Sequence, residues 1–342
     1  MRAAHLRWLA CPACASRLHL SAGDTAADGQ VMTGTLSCAG CAARHPVTRG
    51  VPRLAAGDVA APVANTVGGF GYQWKRAKER LTDRAFVSAE TFLDYIAPVQ
   101  PAWFRGKVVL DAGCGWGRYS LLAAEFGAAT VIGVDLGDAI DVAFDVTRHL
   151  PNVLMVQADV LRLPLTRSID YAFTVGVLHH TADPRRAFLS LASHVVPGGS
   201  ISAWVYGREN NIWIERMLGP VRAVTCRLPR PLLLGLAYLA ALPFTAAVKG
   251  VYGPVSRRPR LAWLRRRLFY FDYLAAMSRF GYTTHAFTIF DHAVPAIAEY
   301  IPRDEFDAWF RAAGMEQVTV TPRAAYSWRG FGVVPRFEPA ER

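Results

Sequence analysis

The segment Val108 to Ser120, VVLDAGCGWGRYS, delivers an acid, Asp111, to the end of an apolar run and follows it with Gly113, Gly115 and Gly117. Glycines spaced this way let the backbone turn tightly and approach a ligand before a helix begins, with the helix's first N–H groups facing that ligand. The loop alone marks only a nucleotide- or nucleoside-binding turn, since oxidoreductases use similar glycines for a pyrophosphate. Two further acids narrow it. Asp135, followed by Leu136, ends TVIGVD about twenty residues after the glycines, where a carboxylate can accept both hydroxyls of a ribose. Asp159, followed by Val160, lies in VQADVLRLPL, where an acid can accept from an adenine amino group. Taken singly, either acid also fits an ordinary turn or helix N-cap.

A second constellation stands near the start of the chain. Cys11-Pro12-Ala13-Cys14 and Cys38-Ala39-Gly40-Cys41 form two knuckles separated by 23 residues. Four thiolates from two such knuckles suit tetrahedral zinc, and a full set of protein sulfurs leaves no open position for substrate, so the expected zinc is structural. A module this short has little core of its own and needs the metal as a staple.

The elements that must position these residues follow from pattern. From Lys107, short apolar runs alternate with amphipathic stretches, the sequence form of a parallel sheet covered on both faces. Strands are expected near 107–112, 130–135, 153–158, 169–175 and 199–206, with helices near 117–126, 138–149 and 184–195 between them. After an interruption of about ninety residues, a helix near 303–313 and strands near 316–322 and 329–334 complete an α/β, Rossmann-like, mostly parallel seven-stranded sheet whose last strand runs antiparallel. The chain therefore divides into a zinc ribbon (1–55), a linker and helical cap (56–105), a cofactor-binding core (106–206 and 302–336) and a helical insertion after the fifth strand (207–301). Within the cap, 56–68 reads as linker and a helical stretch begins at Phe70 and runs, with a break, to Ile96.

The motifs D-A-G-C-G-W-G-R, V-I-G-V-D, Q-A-D and V-L-H-H-T-A-D-P together resemble class I methyltransferases dependent on S-adenosylmethionine (SAM), of the ubiquinone/menaquinone-methyltransferase-like type, over about Phe70 to Phe331. The cysteine module resembles zinc ribbons that precede bacterial methyltransferases or activate tRNA methyltransferases as separate subunits. By position in that family, Asp111 orders the loop and holds the methionine part of SAM. Gly176 and Val177 line the methionyl side, and Tyr72, Gln73 and Trp74 cover the cofactor from the cap. FGYQW, WVYGREN and SWRGFG resemble a narrower bacterial group associated with polysaccharide and secondary-metabolite pathways.

Methyl transfer from a sulfonium needs alignment and desolvation above all, and an oxygen or carbon acceptor also needs a base. His179 and His180 follow the fourth strand and are base candidates; packing and helix capping are their alternative roles. Tyr206 follows the fifth strand as a further catalytic candidate, with Arg208, Asn210 and Asn211 as substrate contacts or a polar turn. His285, Asp291, His292 and Tyr300 lie late in the insertion and could close over the site. Tyr326, Ser327 and Trp328 form the expected hairpin, from which Tyr326 and Trp328 are candidate substrate contacts.

The formal charge is +11, and from Gly219 to Leu268 there are ten basic residues and no Asp or Glu. Pro231 to Val248 is uncharged for eighteen residues, at the lower limit for crossing a bilayer. Because both its ends must return to one sheet, an apolar lid or interfacial hairpin is expected instead. The arginines and aromatics that follow suit anionic headgroups, which makes 231–267 a candidate peripheral membrane contact; a buried cap with a solvated Arg face, or a dimer contact, is the alternative. The expected acceptor is a small-molecule, glycan-linked or lipid-linked substrate in biosynthesis. An RNA base, recognised by ribbon and basic surface, is the alternative, and a non-catalytic SAM-binding scaffold a third. The N-terminus has no secretory pattern, so the expected compartment is the cytoplasm, at the inner membrane face if the insertion meets lipid.

Overall fold

Apolar runs of five to seven residues bounded by glycine and polar turns are too short for helices once both faces are buried, and they pair as parallel strands. The computed structural model describes residues 1–55, 57, 59–80 and 88–336. Its N-terminal part is a four-stranded antiparallel sheet of β1 (Leu18–Ala22), β2 (Gly34–Cys38), β3 (Arg44–Thr48) and β4 (Val51–Pro52). Two helices follow, α1 (Ala61–Arg80) and α2 (Ala89–Tyr95). The core then alternates β5 (Val108–Ala112), α3 (Arg118–Glu125), β6 (Thr130–Asp135), α4 (Ala139–Thr147), β7 (Val153–Gln157), β8 (Ile169–Val175), α5 (Pro184–His194) and β9 (Val195–Tyr206). The insertion holds α6 (Ile212–Thr225), α7 (Arg230–Ala247), α8 (Gly253–Arg257), α9 (Ala262–Arg265), α10 (Phe271–Met277) and α11 (Tyr282–Ala293). The chain returns to the sheet through α12 (Arg303–Ala312), β10 (Glu316–Arg323) and β11 (Ser327–Val333).

The large sheet has the order β10-β11-β9-β8-β5-β6-β7. β5 to β9 pair in parallel, and β11 runs antiparallel to both β9 and β10. Strand order reverses at β5, where the chain winds first towards β7 and then back through β8. A crevice opens there at the carboxyl ends, the place where open α/β sheets bind ligands.

Two expectations are corrected. Residues 61–68, read as linker, belong to α1. Pro62 is tolerated in the first turn because the N–H it lacks has no helical partner there, and Gly69 serves close packing, since a Cβ would lie 2.6 Å from Val294 Cγ2. Positions 56 and 58 of that stretch, and 81–87 within the reach where the helical break is expected, lie outside the described residues. The hairpin is also shifted: Ser327 and Trp328 are already in β11, paired with Tyr206 and Val205, and the turn is made by Ala324 and Ala325 at positive φ.

The cysteine module does not stand on a core of its own. Leu9, Leu18, Leu36 and Leu54 join Ile132, Val156 and Leu165 in one buried cluster, and the Leu54 N–H donates to the Gln157 carbonyl at 2.8 Å. Module and sheet should therefore unfold together. Leu36→Ala is expected to cost about 2–5 kcal/mol and to lower one shared urea transition. A separate early transition for the module would contradict this packing.

Candidate functional site

β6 ends in Asp135, and the next residues turn so that two backbone N–H groups converge on its carboxylate. Gly115 donates to Oδ2 at 2.9 Å and Gly137 to Oδ1 at 2.8 Å. Burial pushes the Asp135 carboxyl above its usual range, and these two donors oppose the shift. Asp135 thus pins the glycine loop to the neighbouring strand end. Gly113 takes φ +80°, and a Cβ there would lie 2.2 Å from Val177 Cγ2. Only glycine fits. Asp159, after β7, accepts from the Leu161 N–H at 2.9 Å, so it caps its own turn while lining the crevice.

These groups border a cavity of about 660 Å³, within the range of roughly 300–1,000 Å³ usual for small-molecule sites. Gly113, Gly115, Asp135, Leu136, Asp159, Val160, Gly176 and Val177 line one end, and Gln73 and Trp74 of α1 cover it. The other end runs beneath the insertion, between Tyr206, Asn211, Asp291, His292, Tyr300 and Tyr326. Trp116 Nε1 and Trp204 Nε1 are buried beside the cavity without a hydrogen-bond partner. Unpaired donors and a backbone cradle closed to any Cβ suit a polar ligand lying across the loop.

Several residues expected at the site fall elsewhere. Asp111 is buried behind the loop, accepts from the Ser120 hydroxyl at 2.6 Å, and is pushed by burial to about 7. It orders α3 rather than facing the cavity. Gly117 is the left-handed cap of α3, against Ala143. Tyr72 packs on Phe290 and under the Arg76 guanidinium, outside the cavity.

The two histidines part company. His179 is fully buried with neither ring nitrogen bonded, its ring 3.9 Å from that of Tyr206. Burial holds it well below the usual histidine range. His180 reaches the cavity but donates Nδ1–H to the Ile297 carbonyl at 2.7 Å, and burial lowers it to about 3. Neither is a base of useful strength near neutrality.

Arg208 is exposed, 3.9 Å from Glu215. Asn210 is exposed and donates to the Ala325 carbonyl. His285 is locked inside the insertion between the Thr245 hydroxyl and the Met277 carbonyl, and Trp328 donates to Glu209. All four miss the cavity because their polar atoms are used in holding the insertion to itself or to the β10–β11 turn.

Sequence reading missed Trp204, Tyr270, Tyr273, Arg323 and Arg329, all of which line the cavity. Arg323 and Arg329 both pair with Asp94, at 2.6 and 2.7 Å, which closes the cavity wall between α2 and the final hairpin. No local motif marks them, because their partner is more than two hundred residues away in sequence.

The cysteines converge as their spacing predicts. Cys11 and Cys41 Sγ are 3.7 Å apart, Cys14 and Cys38 Sγ 3.4 Å, and all four lie within 4.8 Å of one another. A tetrahedral zinc with bonds of about 2.3 Å separates its sulfurs by ~3.8 Å. The donor set fits.

Comparison with known proteins agrees with the cofactor half. Residues 110–203 match the family model described as a methyltransferase domain. They form a class I SAM-dependent methyltransferase domain. A tRNA U34 carboxymethyltransferase of Pseudoalteromonas translucida is 29% identical over 131 residues, 36% of this chain and 39% of that protein. Its counterpart in Psychromonas ingrahamii is 28% identical over 134 residues, 37% and 39% of the two chains. The match thus spans about two fifths of these curated relatives. Among solved structures, a complex of the Haloferax volcanii Trm112 methyltransferase activator with a methyltransferase aligns over 78% of this chain and 98% of that one at 16% identity and TM-score 0.44. A SAM-dependent methyltransferase of Mesorhizobium loti aligns over 30% and 48% at 28% identity and TM-score 0.29.

Two outcomes follow for the methyltransferase domain. Gly113→Ala, by forcing a side chain into a left-handed position against Val177, is expected to weaken SAM binding by about tenfold or more in calorimetric titration; unchanged affinity would remove the loop from the cofactor site. An unfolded His180 takes a proton near 6.5 and the folded one near 3, so its contribution to stability is intact above 6.5 and drains as pH falls towards 3. His180→Gln should show a flatter loss of urea stability across that window than the parent protein. Equal slopes would contradict the assignment.

Proposed function

We propose that this chain transfers the methyl group of SAM to a small or lipid-linked acceptor held between the cofactor and the helical insertion. The observation that carries the reading is the continuity of one cavity from Gly113, Asp135 and Asp159 to Tyr206, Asp291 and Tyr300. Gly113 and Gly115 would hold SAM against the loop, with Asp135 to accept from its ribose hydroxyls and Asp159 from its adenine amino group. The acceptor enters under α10 and α11, where phenol rings and the Asp291 carboxylate face it and the insertion keeps water out.

Bound there, SAM would supply an electrophilic methyl group to the acceptor, with a neutral thioether as the leaving group. An oxygen or carbon acceptor then releases a proton. Asp291, which lines that end of the cavity, would take it. Burial raises its carboxyl above the usual range, with the charge of His292 and a Gln73 hydrogen bond opposing, so it can receive a proton closer to neutrality than an exposed acid could. Tyr206, held well above the usual tyrosine range by burial, stays protonated and donates a hydrogen bond.

The curated relatives favour a second reading, an RNA acceptor, since both are named for tRNA. A base splayed out of its strand could stack on the tyrosines lining this cavity. Their similarity to this chain covers little over a third of it, and the insertion's basic cluster is joined to its most apolar helix, where an RNA groove wants charge beside exposed polar and stacking residues.

The four cysteines would hold a structural zinc that keeps the two knuckles against the sheet. Stripping metal with a chelator should lower the melting temperature of the whole chain without abolishing SAM binding; an unmoved transition would argue against zinc.

Incubating the protein with methyl-labelled SAM and fractionated lipid, small-molecule and RNA extracts tests the acceptor. Label in lipid or small molecules is expected. Label confined to RNA would replace the first reading with the second. With that acceptor in hand, Asp291→Asn should lower kcat by roughly 10²–10⁴-fold with SAM affinity retained, whereas an unchanged kcat would leave Asp291 a wall residue.

A further inference from the structure

α7 is apolar on all sides, yet only one side is covered. Leu233, Leu234 and Ala237 pack with Phe290 and Val294 of α11 and α11's extension. On the opposite side Leu232, Leu236, Leu239 and Leu242 are exposed, Leu239 by 64%. Gly235, Pro243, Ala246 and Ala247 fill the gaps between them, also exposed. At one hundred degrees per residue these positions form a single continuous stripe without a charge. A soluble surface helix turns polar residues to that side, and a core helix would be covered. Here the apolar window within Arg230–Arg257 has mean hydropathy 1.8 and is 28% buried. α6 repeats the pattern with Trp213, Met217, Val221 and Val224 exposed, Trp213 by 67%.

The charge around this face identifies what covers it. From the last residue of α8 onward, Arg257, Arg258, Arg260, Arg265, Arg266 and Arg267 are exposed together with Trp263 and Phe269. This segment is folded back on the end of the long apolar helix: Arg265 donates to the Ser256 carbonyl at 2.8 Å, and the Tyr252 hydroxyl donates to the Phe269 carbonyl at 3.0 Å. No acid stands anywhere from Gly219 to Leu268. An uncharged apolar stripe bordered by arginines and exposed indole and phenyl rings is complementary to one kind of surface, an apolar layer under an anionic one.

We propose that α7 and the arginine segment after it dock the protein, in plane, on an anionic lipid bilayer. The helix lies on the surface and does not cross, because its inner side is packed along α11 and both ends of the insertion return to one sheet. The docked side backs directly onto the acceptor end of the cavity, since α11 also supplies Phe287, Thr288 and Asp291 to its lining. Docking stands on exposure and charge alone, so it can fail while the reading of the transfer site holds, and the reverse.

Flotation of the full-length protein with phosphatidylcholine vesicles, with and without phosphatidylglycerol, tests it. Binding is expected only to the anionic vesicles, and it should weaken with added salt. Arg258→Gln, Arg260→Gln and Arg266→Gln together should weaken binding by ~100-fold, each cationic side chain near such a surface being worth about fivefold. Leu236→Glu with Leu239→Glu should abolish flotation while SAM affinity and melting temperature hold. If that pair fails to fold, Trp213→Ser with Trp263→Ser reads the same surface. No flotation on anionic vesicles, or equal flotation by folded variants, would overturn the proposal. So would a dimer in sedimentation that the leucine substitutions dissociate without changing flotation, or arginine substitutions that weaken RNA binding alone.

Discussion

The Asp135 carboxylate, held between the N–H groups of Gly115 and Gly137, is the constraint on which the rest of the site depends. A buried carboxylate is costly unless donors converge on it, and here both come from backbone that must turn tightly to reach it. Satisfying Asp135 therefore fixes the glycine loop at the end of β5 and the turn after β6 in the same act. The β5 side of the crevice keeps its shape because the loop is tied to the neighbouring end of β6. Asp111, one strand over, is taken up by Ser120 and sets the start of α3. Two acids of similar sequence context thus divide the work: one shapes the cavity wall from behind, the other lines the cavity itself.

The acceptor end is built by a different logic. Its polar groups come from distant parts of the chain and are brought together by the insertion folding over β9 and the β10–β11 turn. Asn211 donates to the carbonyls of Gly207 and Tyr326, both at 2.6 Å, and accepts from the Tyr270 hydroxyl, which knits strand end, hairpin and lid at one side chain. The resulting chamber is rich in phenols whose ionisation burial suppresses. It is a place for hydrogen-bond donation and exclusion of water, with Asp291 the acid that the insertion itself contributes.

What was legible in the sequence follows from how local each signal is. The strands from β5 to β8, the glycine loop, Asp135, Asp159 and the cysteine knuckles are written within a few residues each, and apolar runs or paired spacing betray them. The antiparallel last strand was also readable, because a short hairpin after a helix leaves little choice. His285 and Trp328 were misplaced for the opposite reason: residue type suggested chemistry, but long-range partners, Thr245 and Glu209, had already used their polar atoms. The Asp94 pairing with Arg323 and Arg329 was invisible for the same cause. The start of α1 was missed because a stretch rich in Ala, Val, Gly and Pro reads as linker, whereas its Pro62 sits in the first helical turn, where a helix tolerates it.

SAM held across the loop pinned by Asp135, under α1, would shield the backbone amides it lies on from solvent. Hydrogen exchange of the full chain with and without S-adenosylhomocysteine measures this most directly. Slowed exchange is expected at the amides of 113–118, 135–137 and 159–161 and in α1 near Gln73 and Trp74, with none in the cysteine module. Unchanged exchange at the glycine loop, or protection confined to the insertion, would contradict the account.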